Sequence, residues 1–335
     1  MNRTLFLFVA FLILGAGVVA WYLSRQDDKT SLLAAERSFA VKDTAGIYRI
    51  FIADRKGGQT NLERKNGYWL FDGKYKARPT AVNNLLDAIS RTEVKYKPPR
   101  AAVPSMVKNL ATEGLKVELY DKRGDLIKSY YVGGATSDER GTFMMNADAE
   151  EPYVTQLAGW DGNLRFRYNL VGEDWRDRTV FAFEPEDIAA VSVEYPKQRN
   201  KSFRLQRNGN DFAVLPFYEI NAQSGRPVNK GTAEAYLVGF RSLVAEGFEN
   251  GLPQRDSISR LIPFSVITVK DKAGKEFTVK FHPVFYEEGM DPKTGQELPA
   301  PAVERYYADC NGQDFMMVQH RVFGKVFWAY DAFFE

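Results

Sequence analysis

One cysteine and two histidines in 335 residues leave several common chemistries without their raw material. Cys310 has no partner for an internal disulfide and none at the spacing of a redox pair. Its expected place is that of a small buried apolar residue. His282 and His320 stand in no HExxH or HxH arrangement, so no metal site is expected, and both read as surface or capping residues. An excess of one charge is also missing: 45 basic and 43 acidic residues leave a net charge of +2, with no basic field to hold nucleic acid. No GxSxG elbow, P-loop or GxGxxG loop occurs. Carboxylates are plentiful, yet no two are singled out as a glycosidase pair. The chain therefore reads as non-enzymatic, without catalytic residues and without a cofactor.

What is present begins with an apolar run. From Leu5 to Leu23 no residue is charged, and a helix of that length covers roughly the ~30 Å hydrocarbon core of a bilayer. Leu5, Phe6, Phe8, Phe11, Leu14 and Val18 supply the apolar surface, and Trp21 and Tyr22 close the run where amphipathic rings favour the headgroup level. The competing reading is a cleaved signal peptide, with Val18-Val19-Ala20 near the cleavage point. The length of the run and its aromatic end favour a permanent transmembrane anchor over residues 1–30. Arg3 before the run and Arg25 and Lys29 after it leave the charge rule nearly tied. The expected location is the cytoplasmic (inner) membrane, single-pass, with the main domain periplasmic.

The remainder, 44% hydrophobic and 14% aromatic over the whole chain, has the composition of a folded protein. It reads as an approximate internal repeat. Residues 47–53 alternate like a half-buried strand, and 60–71 form two strands around Asn66-Gly67. Residues 188–195 and 202–215 repeat the pattern around Asn208-Gly209, with Leu62-x-Arg64 matched by Leu205-x-Arg207. Pro79-Thr80 opens an amphipathic helix with apolar positions 82, 85, 86 and 89; Gly231-Thr232 precedes its counterpart over 233–248. Strand-turn-strand units then match at Asp121-Lys122-Arg123-Gly124 and Asp271-Lys272-Ala273-Gly274. Strand pairs at 141–157 and 304–319 end the two copies, each followed by a helical segment. Gly57-Gly58 and Gly133-Gly134 read as turn glycines. The expected fold is α+β: an N-terminal transmembrane helix, then two tandem antiparallel-sheet units, 40–180 and 181–335, each with one packed helix.

This pattern resembles a bacterial membrane-anchored family of duplicated domains of unknown function. The likeness rests on the anchor, Leu62-x-Arg64 with Asn66-Gly67 and Tyr68-Trp69-Leu70, Pro79-Thr80 with its helix, and Asp174-Trp175-Arg176-Asp177-Arg178 before Val180-Phe181. The resemblance implies an outer-side location on the cytoplasmic membrane and genes beside gliding-motility-type ABC transporter auxiliary components. It carries over no catalytic set.

Two segments stand outside the repeat. The insertion 289–302 is rich in proline and suits contact with another protein, which makes Tyr286, Pro292 and Pro299 candidate contact residues. Its Asp291–Glu297 stretch lacks the ligand spacing of a calcium loop. At the C-terminus Phe323, Phe327, Tyr330 and Phe334 recur at helical spacing, with Trp328 beside them. Packing on the chain's own sheet is one reading; a partner-facing patch of Phe323, Phe327, Trp328 and Phe334 is the other. The expected function is that of an accessory or scaffold subunit of a membrane complex, transport-associated or of another kind such as a respiratory or photosynthetic assembly. Its expected partners are the lipid bilayer and other membrane-protein subunits. The alternative is a ligand- or glycan-binding envelope module using the cleft between the repeats.

Overall fold

A computed structural model of the chain describes residues 37–219, 227–284 and 303–334. The anchor residues Leu5, Phe6, Phe8, Phe11, Leu14, Val18, Trp21 and Tyr22 lie outside the described residues, as do Tyr286, Pro292 and Pro299. The chain divides into two compact units, one ending at Asp177 and the other beginning at Arg178.

The first unit runs β1 (Arg49–Ala53), β2 (Gln59–Arg64), β3 (Trp69–Phe71), β4 (Tyr75–Lys76), α1 (Pro79–Arg91), β5 (Thr92–Tyr96), α2 (Val103–Glu113), β6 (Leu115–Tyr120), β7 (Leu126–Ala135), β8 (Thr142–Asn146) and β9 (Tyr153–Leu157). Its strands form one nine-stranded sheet in the order β4-β3-β2-β1-β6-β7-β8-β9-β5, antiparallel throughout. Ile50, Ile52, Leu62, Val117, Leu119 and Val132 point to the face covered by α1, whose Val82, Leu85, Ala88 and Ile89 are buried against them. Each buried Val, Leu or Ile among these contributes roughly 1.5–3 kcal/mol relative to exposure. The neighbour of Val132, Gly133, points to the opposite face, where α2 packs through Leu110.

The second unit runs β10 (Thr179–Phe181), β11 (Ile188–Glu194), β12 (Phe203–Asn208), β13 (Asp211–Pro216), α3 (Lys230–Val238), β14 (Leu243–Val244), β15 (Gly247–Phe248), α4 (Arg255–Ser259), β16 (Ser265–Asp271), β17 (Glu276–Pro283), β18 (Arg305–Cys310), β19 (Asp314–Gln319) and α5 (His320–Phe323). β10 and β14 pair by themselves; the other strands form a sheet in the order β13-β12-β11-β16-β17-β18-β19-β15. Position for position this is the order β3-β2-β1-β6-β7-β8-β9-β5 of the first sheet, which β4 extends by one strand.

The α+β expectation is corrected. Antiparallel sheet dominates both units and helices are few. The first unit also carries a second helix, α2, on the face opposite α1. Among the described residues no helix is long and apolar enough to cross a membrane. The helix expected over 233–248 ends at Val238, with Gly239 as its C-cap and the Gly239 N–H donating to the Tyr236 carbonyl at 3.0 Å. Beyond it, Leu243–Val244 and Gly247–Phe248 find strand partners in β10 and β19. Helical periodicity in the sequence yields to those pairings.

Gly133-Gly134 are not turn residues. They lie in β7, at a register shift against β8. A Cβ on Gly133 would stand 2.8 Å from Asn109 Oδ1, the atom that accepts a hydrogen bond from the Gly134 N–H at 2.7 Å. These glycines let α2 dock on the sheet. Gly57, by contrast, has φ +90 in the β1–β2 turn.

The repeated Leu-x-Arg motif has one structural meaning in both units. Arg64 donates from Nε to the Ile47 carbonyl and from Nη2 to the Thr44 carbonyl, both at 2.7 Å. Arg207 donates from Nε to the Ile188 carbonyl at 3.1 Å and from Nη2 to the Pro185 carbonyl at 2.7 Å. Each guanidinium thereby holds the 3-10 turn that leads into β1 or β11, Thr44–Gly46 or Pro185–Asp187. Each also lies over a ring of the next strand region, Trp69 at 4.6 Å or Phe212 at 4.7 Å.

Candidate functional site

The first unit contains a cavity of about 550 Å3 built by three separate segments. The β1–β2 turn supplies Asp54, Arg55 and Lys56; the end of α2 supplies Thr112 and Glu113; residues 165–172 close the third side. Ile52, Leu115 and Tyr168 form a buried apolar floor.

Local chemistry fixes each wall. Asp54 Oδ1 accepts from the backbone N–H of Lys56 at 2.7 Å and of Gly58 at 2.8 Å, so this carboxylate folds the turn and turns Arg55 and Lys56 outward. Gly114 ends α2; a Cβ there would meet the Leu110 carbonyl oxygen at 2.2 Å, so only glycine permits the abrupt passage into β6. Asn163 caps the 3-10 turn Leu164–Arg167 by accepting from the Arg165 N–H at 2.9 Å. Trp175, fully buried, donates its indole N–H to the Leu170 carbonyl at 2.8 Å and anchors the far end of the segment.

Arg165 is the half-buried cation of the site. It donates from Nη1 to the Val132 carbonyl at 3.0 Å and from Nη2 to the Glu113 carbonyl. Desolvation lowers its pKa from the usual arginine value, opposed by the charges of Glu113 and Asp54. Burial pushes the Tyr168 hydroxyl up to about 12, so it is neutral; it lies 3.3 Å from the Tyr130 hydroxyl. Val171 at the cavity wall is 64% exposed, a large apolar side chain left in water.

The second unit treats the same place differently. Ile50 pairs with Leu62 as Val191 pairs with Leu205, which makes Tyr195 the positional counterpart of Asp54. Phe264, one residue before β16, corresponds to Gly114, one residue before β6. Tyr195 is buried and donates to the Trp328 carbonyl at 2.9 Å; its ring packs on Phe264 at 5.5 Å, and Phe264 on Phe327 and Tyr306, both at 5.3 Å. Where the first unit places charged and small residues around an opening, the second places interlocked aromatic rings.

The C-terminal candidates thus have core roles. Phe323 is fully buried, and Phe327, Trp328 and Phe334 are half-buried against the second unit's core. Residues 320–326 and 330–333 form short helical turns in place of one continuous helix. Cys310 is buried, and desolvation pushes its thiol up to about 12, which leaves it unreactive. His282 is buried on the face opposite Phe281, whereas the exposed His320 accepts from or donates to the Tyr306 hydroxyl through Nδ1 at 3.0 Å. Among the described residues no group of three or more His, Cys, Asp or Glu side chains is placed to hold a metal ion.

The sequence reading missed Arg165, Asp54, Thr112, Glu113 and Val171. They come from three distant segments, and the local signals nearest them are the strands at 47–53 and 60–71 and the Gly57-Gly58 turn. No curated protein matches the chain. The family described as Domain of unknown function (DUF4340) matches residues 69–259, more than half of the sequence, and the chain belongs to that family.

Proposed function

We propose that the chain is a non-enzymatic accessory subunit of a multi-protein membrane assembly, in which the second unit is structural and the first is receptive. One observation carries this reading: the opening beside Asp54 and Arg165 corresponds, strand for strand, to a position sealed in the second unit by Tyr195 and Phe264. A concave site with an apolar floor and few fixed polar groups suits binding. The shared strand order and the paired roles of Arg64 and Arg207 support descent of both units from one duplicated ancestor.

The uncharged run from Leu5 to Leu23 supports a place at the cytoplasmic membrane, and the family resemblance favours the periplasmic side for both units. Confinement there raises the effective concentration of the units near other membrane subunits. The family resemblance ranks an ABC-type transport assembly first among the candidates. The binding alternative shifts accordingly, from a cleft between the units to the cavity within the first.

Mild-detergent extraction and affinity purification of the full chain tests this. Stoichiometric partners are expected, with recovery reduced by Thr112→Trp, which places an indole at the cavity mouth and leaves the core intact. Recovery of the chain alone and monomeric refutes the proposal.

A further inference from the structure

We infer that the first unit's cavity binds a carboxylate attached to a short apolar body, and that Arg165 is the group that receives it. The inference rests on the reading of this cavity as receptive and names what it receives.

Arg165 forms no ion pair among the described residues; both of its assigned hydrogen bonds go to main-chain carbonyls. A guanidinium has five N–H donors in a planar fork, so these two bonds leave donors over, and the side chain lines the cavity. Two backbone carbonyls hold the fork in place, and that pre-organisation lowers the entropy cost of receiving a planar anion. Of the two nearby carboxylates, Asp54 accepts through Oδ1 from two N–H groups of its own turn and acts on Arg165 only through its charge. Glu113 is exposed and accepts only a long 3.4 Å bond from Asn109 Nδ2. Arg55 and Lys56 stand exposed on the same rim, so three cations face two carboxylates. The field at the opening therefore favours an anion, and Arg165 supplies the direction.

The rest of the wall defines the body of the ligand. Ile52, Leu115 and Tyr168 give an apolar floor, and Val171 offers an exposed apolar side. A volume of about 550 Å3 accepts a small acid or the last residues of a peptide. Both sources present the same chemistry.

The test uses the full chain in detergent with two matched pairs of probes, titrated by calorimetry. 4-Phenylbutyrate is compared with its carboxamide, and acetyl-Ala-Ala-Leu with its C-terminal amide. Each favoured acid should bind at least tenfold tighter than its amide. Preference for the tripeptide acid identifies a chain terminus as the source; preference for phenylbutyrate identifies a free small acid. Arg165→Gln should abolish the acid–amide difference, and Thr112→Trp should abolish binding while Arg165 and its two carbonyl bonds remain. Thr112 donates only to carbonyls of its own helix, so this second variant keeps the test valid if Arg165→Gln unfolds. Equal binding of acid and amide, binding that survives Thr112→Trp, or no binding of any probe overturns the inference. Partner recovery after detergent extraction is scored separately, so loss of the carboxylate preference with partners still retained through the cavity leaves the accessory-subunit reading standing.

Discussion

Replacing Arg207 with lysine keeps the positive charge and removes only the planar fork. Lysine can reach one of the two carbonyls, Ile188 O or Pro185 O, but not both in fixed geometry, and it loses the flat contact over Phe212. One lost hydrogen bond from a charged donor costs about 1.5–3 kcal/mol, and the ring contact adds about 0.5–1 kcal/mol. The turn Pro185–Asp187 and the start of β11 should therefore open more easily by about 2–4 kcal/mol. At 1.36 kcal/mol per factor of ten, amide hydrogen exchange there should accelerate by about 30-fold or more. Arg64→Lys should do the same at Thr44–Gly46 and β1, since its bonds are at least as short. Hydrogen–deuterium exchange with peptide-level mass spectrometry reads both effects. If Arg207→Lys leaves β11 protected, or if exchange rises equally in β1, the assignment of the motif to one turn in each unit is wrong.

Three further outcomes follow from the packing. Gly133→Ala should lower the thermal midpoint by the equivalent of about 1–3 kcal/mol, because its Cβ would press on Asn109 Oδ1 at 2.8 Å and Leu110 Cδ2 at 3.0 Å; Gly134→Ala, with its nearest contact at 3.3 Å, should cost less. Trp175→Phe should cost about 1–3 kcal/mol by orphaning the Leu170 carbonyl, with faster exchange over 165–172 as the local readout. Burial holds the His282 imidazole below its ordinary pKa, opposed by Asp309 and reinforced by Lys280, and neither ring nitrogen has a hydrogen-bond partner among the described residues. The neutral ring is thus the native form: as pH falls below the ordinary histidine value the unfolded chain gains a proton first. Stability present above that value declines until the folded ring also protonates. His282→Leu should flatten this decline in thermal midpoints taken from pH 7.5 to 5; parallel curves for the two proteins would refute it.

Much of the strand framework was legible in the sequence. Alternation at 47–53 and 188–195, the Asn-Gly and Asp-x-x-Gly turns, and the apolar spacing after Pro79 are local signals, and the elements stand where those signals fall. Overreading came where a local signal met a tertiary alternative. Residues 239–248 have helical period, but Leu243–Val244 and Gly247–Phe248 pair with β10 and β19. The C-terminal aromatics allowed either packing on the chain's own sheet or a partner-facing patch, and their packing against the second unit's core is visible only in the tertiary structure.

By itself the sequence determined the turn positions, the repeated arginine and the absence of a dithiol or a histidine-rich site, because each depends on residue type and spacing within one short stretch. It also contains an uncharged run from Leu5 to Leu23. Only the tertiary structure decided that the two sheets share a strand order, that Gly133 serves the docking of a helix, and that one unit is open where the other is sealed. The reason is physical: Asp54, Glu113 and Arg165 become neighbours only when three segments far apart in the chain close on one cavity, and no periodicity encodes that meeting.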